Sequence, residues 1–384
     1  MFATHLECFR CAGQYPMDAR AYLCPKCGPG GKHDGDDPGI LDVRYDYAAA
    51  RGVPFESRDD VFRYLPLLPV RAPAPTLPAG GTALVGAPRI AGRLGLSGLY
   101  LKDETRNPTR CLKDRATAIA ITLALELGST DVYCASAGNA AISLAGFAAH
   151  AGLRCHAFVP NSASATRLDW LRRFGAQTHV STGNYDQAFA ESEAASTENN
   201  QAQSAGPKWF SRNCAFNPFL VEGKKTCALE IAEKLAPDFV IAPVGDGCTL
   251  GAIGKGFREA RELGLIDRLP RLIGVQAAGV QPMVSRFRGV ESPDAGGETA
   301  AASIAVRRPR NALRLLHELK ESGGEMVAVS DPQIGMAQRR LAENAGIVAE
   351  FTSAATLAAL EVLALRGSIE GQTGVLVITG GRVD

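Results

Sequence analysis

The chain has 384 residues, of which 46% are hydrophobic and 21% are charged, so it is long and apolar enough to bury more than one core. Its formal net charge of +1 gives no electrostatic reason to expect nucleic acid or an acidic membrane as a partner. No apolar run reaches the roughly 18 residues that a membrane-spanning helix needs, and residues 1–10 lack the pattern of a secretory signal. We therefore expect a cytoplasmic protein with two α/β domains and no membrane partner.

The first 45 residues differ from the rest, because they carry two CxxC pairs with the spacing Cys8-x2-Cys11-x12-Cys24-x2-Cys27. Each CxxC turn directs two thiolates at one point, and four thiolates make a closed tetrahedral zinc site. The alternatives are a disulfide pair or four unconnected thiols, but a reducing compartment favours zinc. Since four sulfur ligands leave no open position, we expect a structural zinc ion and a zinc-ribbon-like module over residues 1–45.

From Leu99 onward, short strand-like runs alternate with helical runs, which indicates α/β architecture with parallel sheets covered by helices on both faces. We predict two three-layer domains. The large one comprises residues 46–128 and 236–384, and the small one residues 129–235. The predicted strands are 98–102, 132–135, 155–159, 177–180, 239–242, 272–276, 326–329 and 375–379. The predicted helices are 113–127, 139–150, 165–174, 185–195, 223–235, 250–263, 331–344 and 353–365.

Lys113 stands where a strand, a turn containing Asn107-Pro108-Thr109 and a predicted helix follow one another. A lysine in the first turn of a helix lies at the positive end of the helix dipole, and partial burial acts in the same direction. Both effects favour the neutral amine that a Schiff-base lysine must supply. The alternative is a solvated lysine on an ordinary helix.

Two further turns each join a buried strand to a helix. The first consists of Ser136, Ala137, Gly138, Asn139 and Ala140, and its backbone N–H groups suit a carboxylate, although an ordinary Ser or Asn helix cap is the alternative. The second consists of Gly245, Asp246, Gly247, Cys248 and Thr249, and its amides suit a phosphate. A dinucleotide site is the competing interpretation, but it would require Gly in place of Leu250 and an acidic residue in place of Gln276. Near the carboxyl end, a buried strand presents Thr379 before a pair of glycines.

Together and in this order, these segments resemble the threonine synthase family, in the tryptophan-synthase-like group of pyridoxal-phosphate (PLP) enzymes of fold type II. Lys102-Asp103-Glu104, Asn107-Pro108-Thr109 and Lys113-Asp114-Arg115 match the family's segment around its cofactor lysine. The similarity extends over nearly the whole chain. Its other matching segments begin at Leu41, Gly80, Glu222, Gly274 and Glu350.

The resemblance implies a PLP-dependent lyase that acts on a small amino acid by β- or γ-elimination or replacement, such as the conversion of O-phosphohomoserine to threonine and phosphate. It implies that Lys113 holds the cofactor and moves protons, that Asn139 bonds its phenolic oxygen, and that Thr379 faces its pyridine nitrogen. The cofactor phosphate would be held by Gly245, Asp246, Gly247, Cys248 and Thr249. The substrate carboxylate would be bound by Ser136, Ala137, Gly138 and Ala140. We also expect a homodimer.

Two departures from the family's pattern concern the substrate. Arg110-Cys111-Leu112 stands where the family has G-S-F, and Asp246 stands where threonine synthases often have Asn. If Asp246 pointed into the substrate pocket it would repel a phosphate, unless Arg167 or Arg110 offset its charge. The alternatives are therefore a cysteate-synthase-like or deaminating lyase of an O-phosphoserine- or serine-like substrate, and a catalytically silent regulator of the same fold. A zinc-ribbon nucleic-acid binder is disfavoured because residues 1–45 show no basic face.

Overall fold

The computed structural model describes residues 2–28, 38–202, 208–291 and 297–381. Within them the strands lie in three sheets. In chain order the strands are β1 (Ala3–Cys8), β2 (Gln14–Tyr15), β3 (Leu41–Tyr45), β4 (Leu84–Gly86), β5 (Gly98–Asp103), β6 (Asp131–Ala135), β7 (Arg154–Val159), β8 (Gln177–Val180), β9 (Phe210–Ser211), β10 (Phe239–Pro243), β11 (Arg271–Ala277), β12 (Glu325–Val329) and β13 (Thr373–Ile378).

The helices alternate with the strands from β4 onward. They are α1 (Tyr47–Ala50), α2 (Pro88–Arg93), α3 (Lys113–Glu126), α4 (Asn139–Ala151), α5 (Ala165–Arg173), α6 (Tyr185–Ala202), α7 (Phe219–Ala232), α8 (Cys248–Glu262), α9 (Pro282–Arg288), α10 (Ala312–Glu321), α11 (Asp331–Ala345) and α12 (Phe351–Leu365). Short 3-10 helices span Val61–Leu67, Glu104–Arg106 and Ala302–Ile304.

The large sheet has six strands in the order β12-β11-β10-β13-β5-β4, and only the edge pair β4–β5 is antiparallel. The small sheet has four parallel strands in the order β8-β7-β6-β9. The chain leaves the large sheet after β5, builds the small sheet and returns at β10. A third sheet, β2-β1-β3, is antiparallel and carries the CxxC segment.

The expected α/β class with parallel sheets is confirmed, and all the predicted strands and helices are present with shifted ends. The strands could be predicted because a parallel strand that is covered on both faces is apolar at successive residues. The residues Val375, Leu376, Val377 and Ile378 are an example, since all four are buried. The predicted helices at 223 and 250 begin earlier, at Phe219 and Cys248. The division into domains at the proposed boundaries remains a prediction.

A buried group of charges holds the start of α3. The Arg115 guanidinium pairs with Glu104 (Nε to Oε2, 2.7 Å) and with Glu230 of α7 (Nη1 to Oε1, 2.6 Å). Lys102 donates from Nζ to Glu230 Oε2 and to the Thr82 carbonyl, each at 2.6 Å. Burial alone would raise the pKa of Glu230, but Arg115 and Lys102 outweigh it and lower this pKa to about 2. These ion pairs and hydrogen bonds thus join three segments that are distant in sequence. The joining residue of α3 is Arg115, which is two residues from Lys113.

A second buried group of charges joins the amino-terminal sheet to α8 and α10. Asp42 of β3 accepts from Lys255 Nζ at 2.9 Å and from Arg314 Nη1 at 2.6 Å. Lys255 also pairs with Glu222 of α7 at 2.7 Å. All four side chains are almost completely buried. The cysteine-containing sheet is therefore packed through charge pairs against α8, the helix that follows the glycine-rich turn.

Candidate active site

The carboxyl ends of strands from both parallel sheets meet at a cavity of about 590 Å³. Strands β6 and β7 contribute the turns that follow them from the small sheet, and β10 and β13 contribute from the large sheet. Ligands of open α/β sheets bind at such carboxyl ends. Predicted site residues that line the cavity are Lys113, Ser136, Ala137, Gly138, Asn139, Ala140, Arg167, Gly245, Asp246, Gly247, Cys248, Thr249 and Thr379.

Arg110 requires a correction, because it is not among the residues that line the cavity. It is exposed and adopts a φ of 63°, which is unusual for a residue with a side chain. Its carbonyl accepts a hydrogen bond from the Gly381 amide at 3.1 Å. The structure thus places Arg110 in the turn before α3, outside the lining of the cavity.

Lys113 is the first residue of α3 and lines the cavity. Burial lowers the pKa of Lys113, and the charges of Lys224 and Arg212 lower it further, against the opposing effect of Cys248 and Cys214. The Leu112 amide donates to the Thr379 carbonyl at 2.8 Å, which brings the end of β13 to the start of α3. This lowered pKa favours the neutral amine that a Schiff-base lysine needs.

Lys102, the other lysine of the segment that matches the family's cofactor motif, is placed differently. It does not line the cavity, and its ammonium is buried in the ion pair with Glu230. An amine whose nitrogen lies 2.6 Å from the Glu230 carboxylate, away from the cavity, is poorly placed to bind a cofactor covalently. The geometry thus favours Lys113 over Lys102.

The glycine-rich turn after β10 forms a cradle, which we define as residues Gly245, Asp246, Gly247, Cys248 and Thr249. Gly247 has a φ of 91° and precedes α8. A Cβ on Gly245 would lie 3.1 Å from the Ser303 carbonyl oxygen, so this turn passes too close to its neighbour for a side chain. Amides in the first turn of a helix have no partner within the helix, and together with the helix dipole they suit a phosphate.

The other side of the expected cofactor site is held by α12. Asn139 donates from Nδ2 to Glu350 Oε2 at 2.8 Å, and the hydroxyls of Thr379 and Ser353 are 2.9 Å apart. The Gly380 amide also donates to the Ser353 hydroxyl at 2.9 Å. Glu350 and Ser353 fall in a segment that matches the family in sequence, but no role for them could be assigned from it.

The small sheet supplies two more groups of polar atoms. After β6, Gly138 caps α4, and its amide donates to the Ser136 hydroxyl at 3.1 Å. After β7, the cavity is lined by the hydroxyl residues Ser162, Ser164 and Thr166 together with Arg167. The Arg167 amide is capped by the Ser164 hydroxyl at 3.4 Å at the start of α5. The cavity thus has a cationic, hydroxyl-rich wall separate from the cradle.

Asp246 lines the cavity as expected, but the arginine whose charge acts on it most differs from the one predicted. The Arg310 amide donates to Asp246 Oδ1 at 3.3 Å. Burial raises the pKa of Asp246, and the opposing charges of Arg310, Lys113 and Lys224 do not cancel this effect. Arg310, not Arg167 or Arg110, is therefore the arginine that acts on Asp246 most strongly. Sequence reasoning missed Arg310, as it missed Arg212, because neither lies in a motif.

The four predicted zinc ligands converge. The sulfur atoms of Cys8, Cys11, Cys24 and Cys27 all lie within 4.8 Å of one another. Cys11 Sγ and Cys24 Sγ are 3.7 Å apart, and a tetrahedral site with Zn–S bonds of about 2.3 Å places its sulfurs about 3.8 Å apart. The donor set and its spacing fit a closed zinc site.

Residues 75–380 match the family model described as pyridoxal-phosphate dependent enzyme. The chain belongs to this family. It is 35% identical to the threonine synthase of Methanosarcina acetivorans, over 99% of this chain and 91% of that protein. It is also 35% identical to the threonine synthase of Methanocaldococcus jannaschii, over 98% of this chain and 91% of that protein. The chain is a PLP-dependent, threonine-synthase-like lyase, as the sequence motifs implied.

Solved structures share the fold. The processed form of threonine deaminase isoform 2 from Solanum lycopersicum has a TM-score of 0.69 at 21% identity. The match covers 86% of this chain and 92% of the threonine deaminase chain. Diaminopropionate ammonia lyase from Escherichia coli has a TM-score of 0.68 at 16% identity, over 100% of this chain and 95% of its own. In the part of the chain that the structure describes, no helix combines the length and apolarity needed to cross a membrane.

Proposed function

We propose that this enzyme converts O-phosphohomoserine to threonine and inorganic phosphate, with PLP bound through Lys113. The observation that supports the proposal is the lining of one cavity, which contains the cradle and also the hydroxyl residues Ser164 and Thr166 beside Arg167. The cradle after β10 suits the cofactor phosphate, and the wall containing Ser164, Thr166 and Arg167 suits a second one. A substrate with a phosphate leaving group needs both.

The residues around the expected cofactor have distinct tasks in this proposal. PLP, when bound, withdraws electrons from the amino acid attached to it. The Lys113 amine takes and returns protons at the substrate carbon atoms, which its lowered pKa supports. Thr379 offers a hydroxyl to the pyridine nitrogen, and a hydroxyl leaves that nitrogen largely unprotonated, which favours elimination and replacement over transamination.

The substrate would lie across the cavity. The amides of the turn at Ser136, Gly138 and Ala140 would receive its α-carboxylate, since they open the positive end of α4. Arg167 would then pair with the phosphate at the other end of the substrate. Water released from this wall on binding would leave the charges facing one another directly.

The main argument against a phosphorylated substrate is the negative charge of Asp246, but the surroundings of Asp246 weaken this argument. A carboxylate about 4 Å from each phosphate charge would cost on the order of 4 kcal/mol at an effective dielectric of 20. Burial raises the pKa of Asp246, and this shift acts against the charged form that would repel the phosphate. The contact of Asp246 with the Arg310 amide also turns one carboxyl oxygen to the backbone.

The test measures phosphate release and threonine formation from O-phosphohomoserine in wild type, Arg167→Ala and Asp246→Asn. Arg172→Ala is the matched control, because Arg172 is an exposed arginine of the same helix. We expect Arg167→Ala to raise KM roughly 10- to 100-fold, the loss of a hydrogen bond to a charged group, while Arg172→Ala keeps the wild-type KM. Wild type without turnover, together with a gain in Asp246→Asn, would contradict the proposal. Turnover of O-phosphoserine with sulfite instead would favour the cysteate-synthase-like alternative.

We further propose one structural zinc ion, with Cys8, Cys11, Cys24 and Cys27 as its ligands. The convergence of the four sulfur atoms supports it. The ion would stabilise the β2-β1-β3 sheet and take no part in turnover, since a four-thiolate site has no open position. The homodimer and the cytoplasmic location stay predictions.

A further inference from the structure

Arg310 joins elements of the two parallel sheets just behind the cavity wall. It precedes α10, which packs on β11 of the large sheet, and it forms an ion pair with Asp186 at the start of α6, which packs on β6 and β7 of the small sheet. Arg310 is not among the residues that line the cavity, but its neighbours Tyr185 and Asp246 are. Any effect of Arg310 on the cavity is therefore exerted through these neighbours.

The Arg310 guanidinium is held by one end of α6. Its Nη2 donates to Asp186 Oδ1, and its carbon lies 4.7 Å from the centre of the Phe189 ring and 5.8 Å from that of the Tyr185 ring. Nη1 is buried and has no hydrogen-bond partner in the residues that the structure describes. All three contacts come from the first two turns of α6. Loss of the Arg310 side chain would thus remove a direct link between this end of the helix and the large sheet.

The backbone of the same segment holds the cradle. The Arg310 amide donates to Asp246 Oδ1 at 3.3 Å, and the next amide, that of Asn311, donates to the Asp246 carbonyl at 2.9 Å. Asn311 Nδ2 also donates to the carbonyl of Ala215, which follows β9 and lines the cavity, at 3.1 Å. Two consecutive residues therefore connect the cradle both to α6 and to the segment after β9.

Tyr185 is the residue of α6 that lines the cavity. Burial raises the pKa of its phenol well above the usual value, and a negative charge on Asp246 acts in the same direction. The phenol therefore stays uncharged and can donate a hydrogen bond to a carboxylate or phosphate oxygen in the cavity. Because Asp186 is the next residue of the helix, its ion pair with Arg310 fixes the position of this phenol.

We propose that Arg310 is a positioning residue for the amino-acid substrate. Through Asp186 it holds Tyr185 in one wall of the cavity, and through its backbone it holds Asp246 in the opposite part, the cradle. The separation of these two parts then sets the affinity for the substrate, while the reacting groups at Lys113 are unchanged. Only the choice of O-phosphohomoserine as the kinetic substrate rests on the proposed function.

The first measurement is the steady-state kinetics of the PLP-loaded enzyme with O-phosphohomoserine. We expect Asp186→Asn to raise KM roughly 2- to 5-fold, the effect of losing a partly exposed ion pair. Arg310→Gln should raise KM roughly 5- to 30-fold, because it also loses the contact with the Phe189 ring. In both variants kcat should stay within about twofold of wild type, as expected when binding alone is weakened. The double variant should match Arg310→Gln, since both substitutions break the same pair.

Two matched controls remove the same charges elsewhere. Glu198→Gln changes an exposed acid of α6, and Arg308→Gln changes an exposed arginine two residues before Arg310. Both should keep the wild-type KM. Arg310→Lys retains the positive charge and should have a KM between those of wild type and Arg310→Gln.

The second measurement does not depend on which amino acid the enzyme uses. Hydroxylamine, a small uncharged nucleophile, displaces the Lys113 amine from the bound cofactor, and the loss of visible absorbance gives the rate. A cavity whose wall is no longer held should admit the reagent more readily. We therefore expect faster reaction in Asp186→Asn, faster still in Arg310→Gln, and wild-type rates in Glu198→Gln and Arg308→Gln.

Three outcomes would overturn the proposal. They are a wild-type KM and hydroxylamine rate in Arg310→Gln, a lowered kcat with unchanged KM, which indicates only a loss of folded enzyme, and effects of the two substitutions that multiply in the double variant. If wild type does not turn over O-phosphohomoserine, the proposed function fails, and the hydroxylamine rates then decide on Arg310 alone. Asp186→Asn preserves the test if Arg310→Gln fails to fold, because 44% of the Asp186 side chain is exposed.

Discussion

Lys102 is buried and Lys113 lines the cavity, and their replacement should have opposite consequences. Lys102→Met removes two hydrogen bonds of 2.6 Å and one partner of the buried Glu230 carboxylate. Breaking a buried ion pair typically costs about 3–5 kcal/mol, and since Arg115 still neutralises Glu230 we expect the lower end, about 3 kcal/mol. Lys113→Ala removes an amine whose charge is already disfavoured, so we expect stability to change by less than about 1 kcal/mol.

The assay combines urea unfolding with chemical trapping. Unfolding is measured after removal of the cofactor from every protein, because a bound ligand adds stability of its own. Lys234→Ala, at an exposed position, is the control for the loss of a lysine. In wild type, borohydride reduction should place the pyridoxyl group on the Lys113 peptide, and Lys113→Ala should lack the visible absorbance of bound PLP. An adduct on Lys102, or a Lys102→Met variant as stable as wild type, would refute the argument.

Two further predictions concern the metal and acid. Metal analysis should find about one zinc per chain, and chelation should unfold the amino-terminal sheet. Less than about half a zinc per chain in fully folded protein would count against the site. On acidification, stability contributed by Glu230 should be present above an ordinary glutamate pKa of about 4.3 and be lost as pH falls toward about 2. The urea midpoint should therefore fall between about pH 5 and 2, and an unchanged midpoint over this range would contradict the pairing of Glu230 with Arg115 and Lys102.

The parts of the site that could be predicted are those carried by one continuous segment. Lys113 and the cradle each lie at a junction of a buried strand and a helix, and both junctions are recognisable because a continuous apolar run precedes them. The strand β9 was missed because it has two residues, too few for any periodicity. Arg212 and Cys214, which follow that strand, were missed for the same reason.

Charge partners were the least predictable feature. Arg310 reaches Asp246 from a segment 64 residues away, so no local pattern connects them. Arg110 was considered, after Arg167, because it stands in the segment that departs from the family's pattern, but its left-handed backbone turns the chain at that point and its side chain is exposed. Proximity in sequence to a reactive group is a weak guide once a turn intervenes.

The burial of Asp42 limits how this chain can be rearranged by recombination. Residue 45 marks a change in composition, but the strand that ends there supplies the carboxylate for Lys255 and Arg314. Tyr45 itself donates to Glu222 at 2.8 Å. A segment grafted from another protein in place of residues 1–45 would have to bring its own acid to that position, or Arg314 would lose its carboxylate partner and Lys255 would keep only its pairing with acids of the neighbouring helices. The cysteine-containing sheet and the helices beneath the cavity are therefore coupled through buried charges, although residue 45 marks a change in composition.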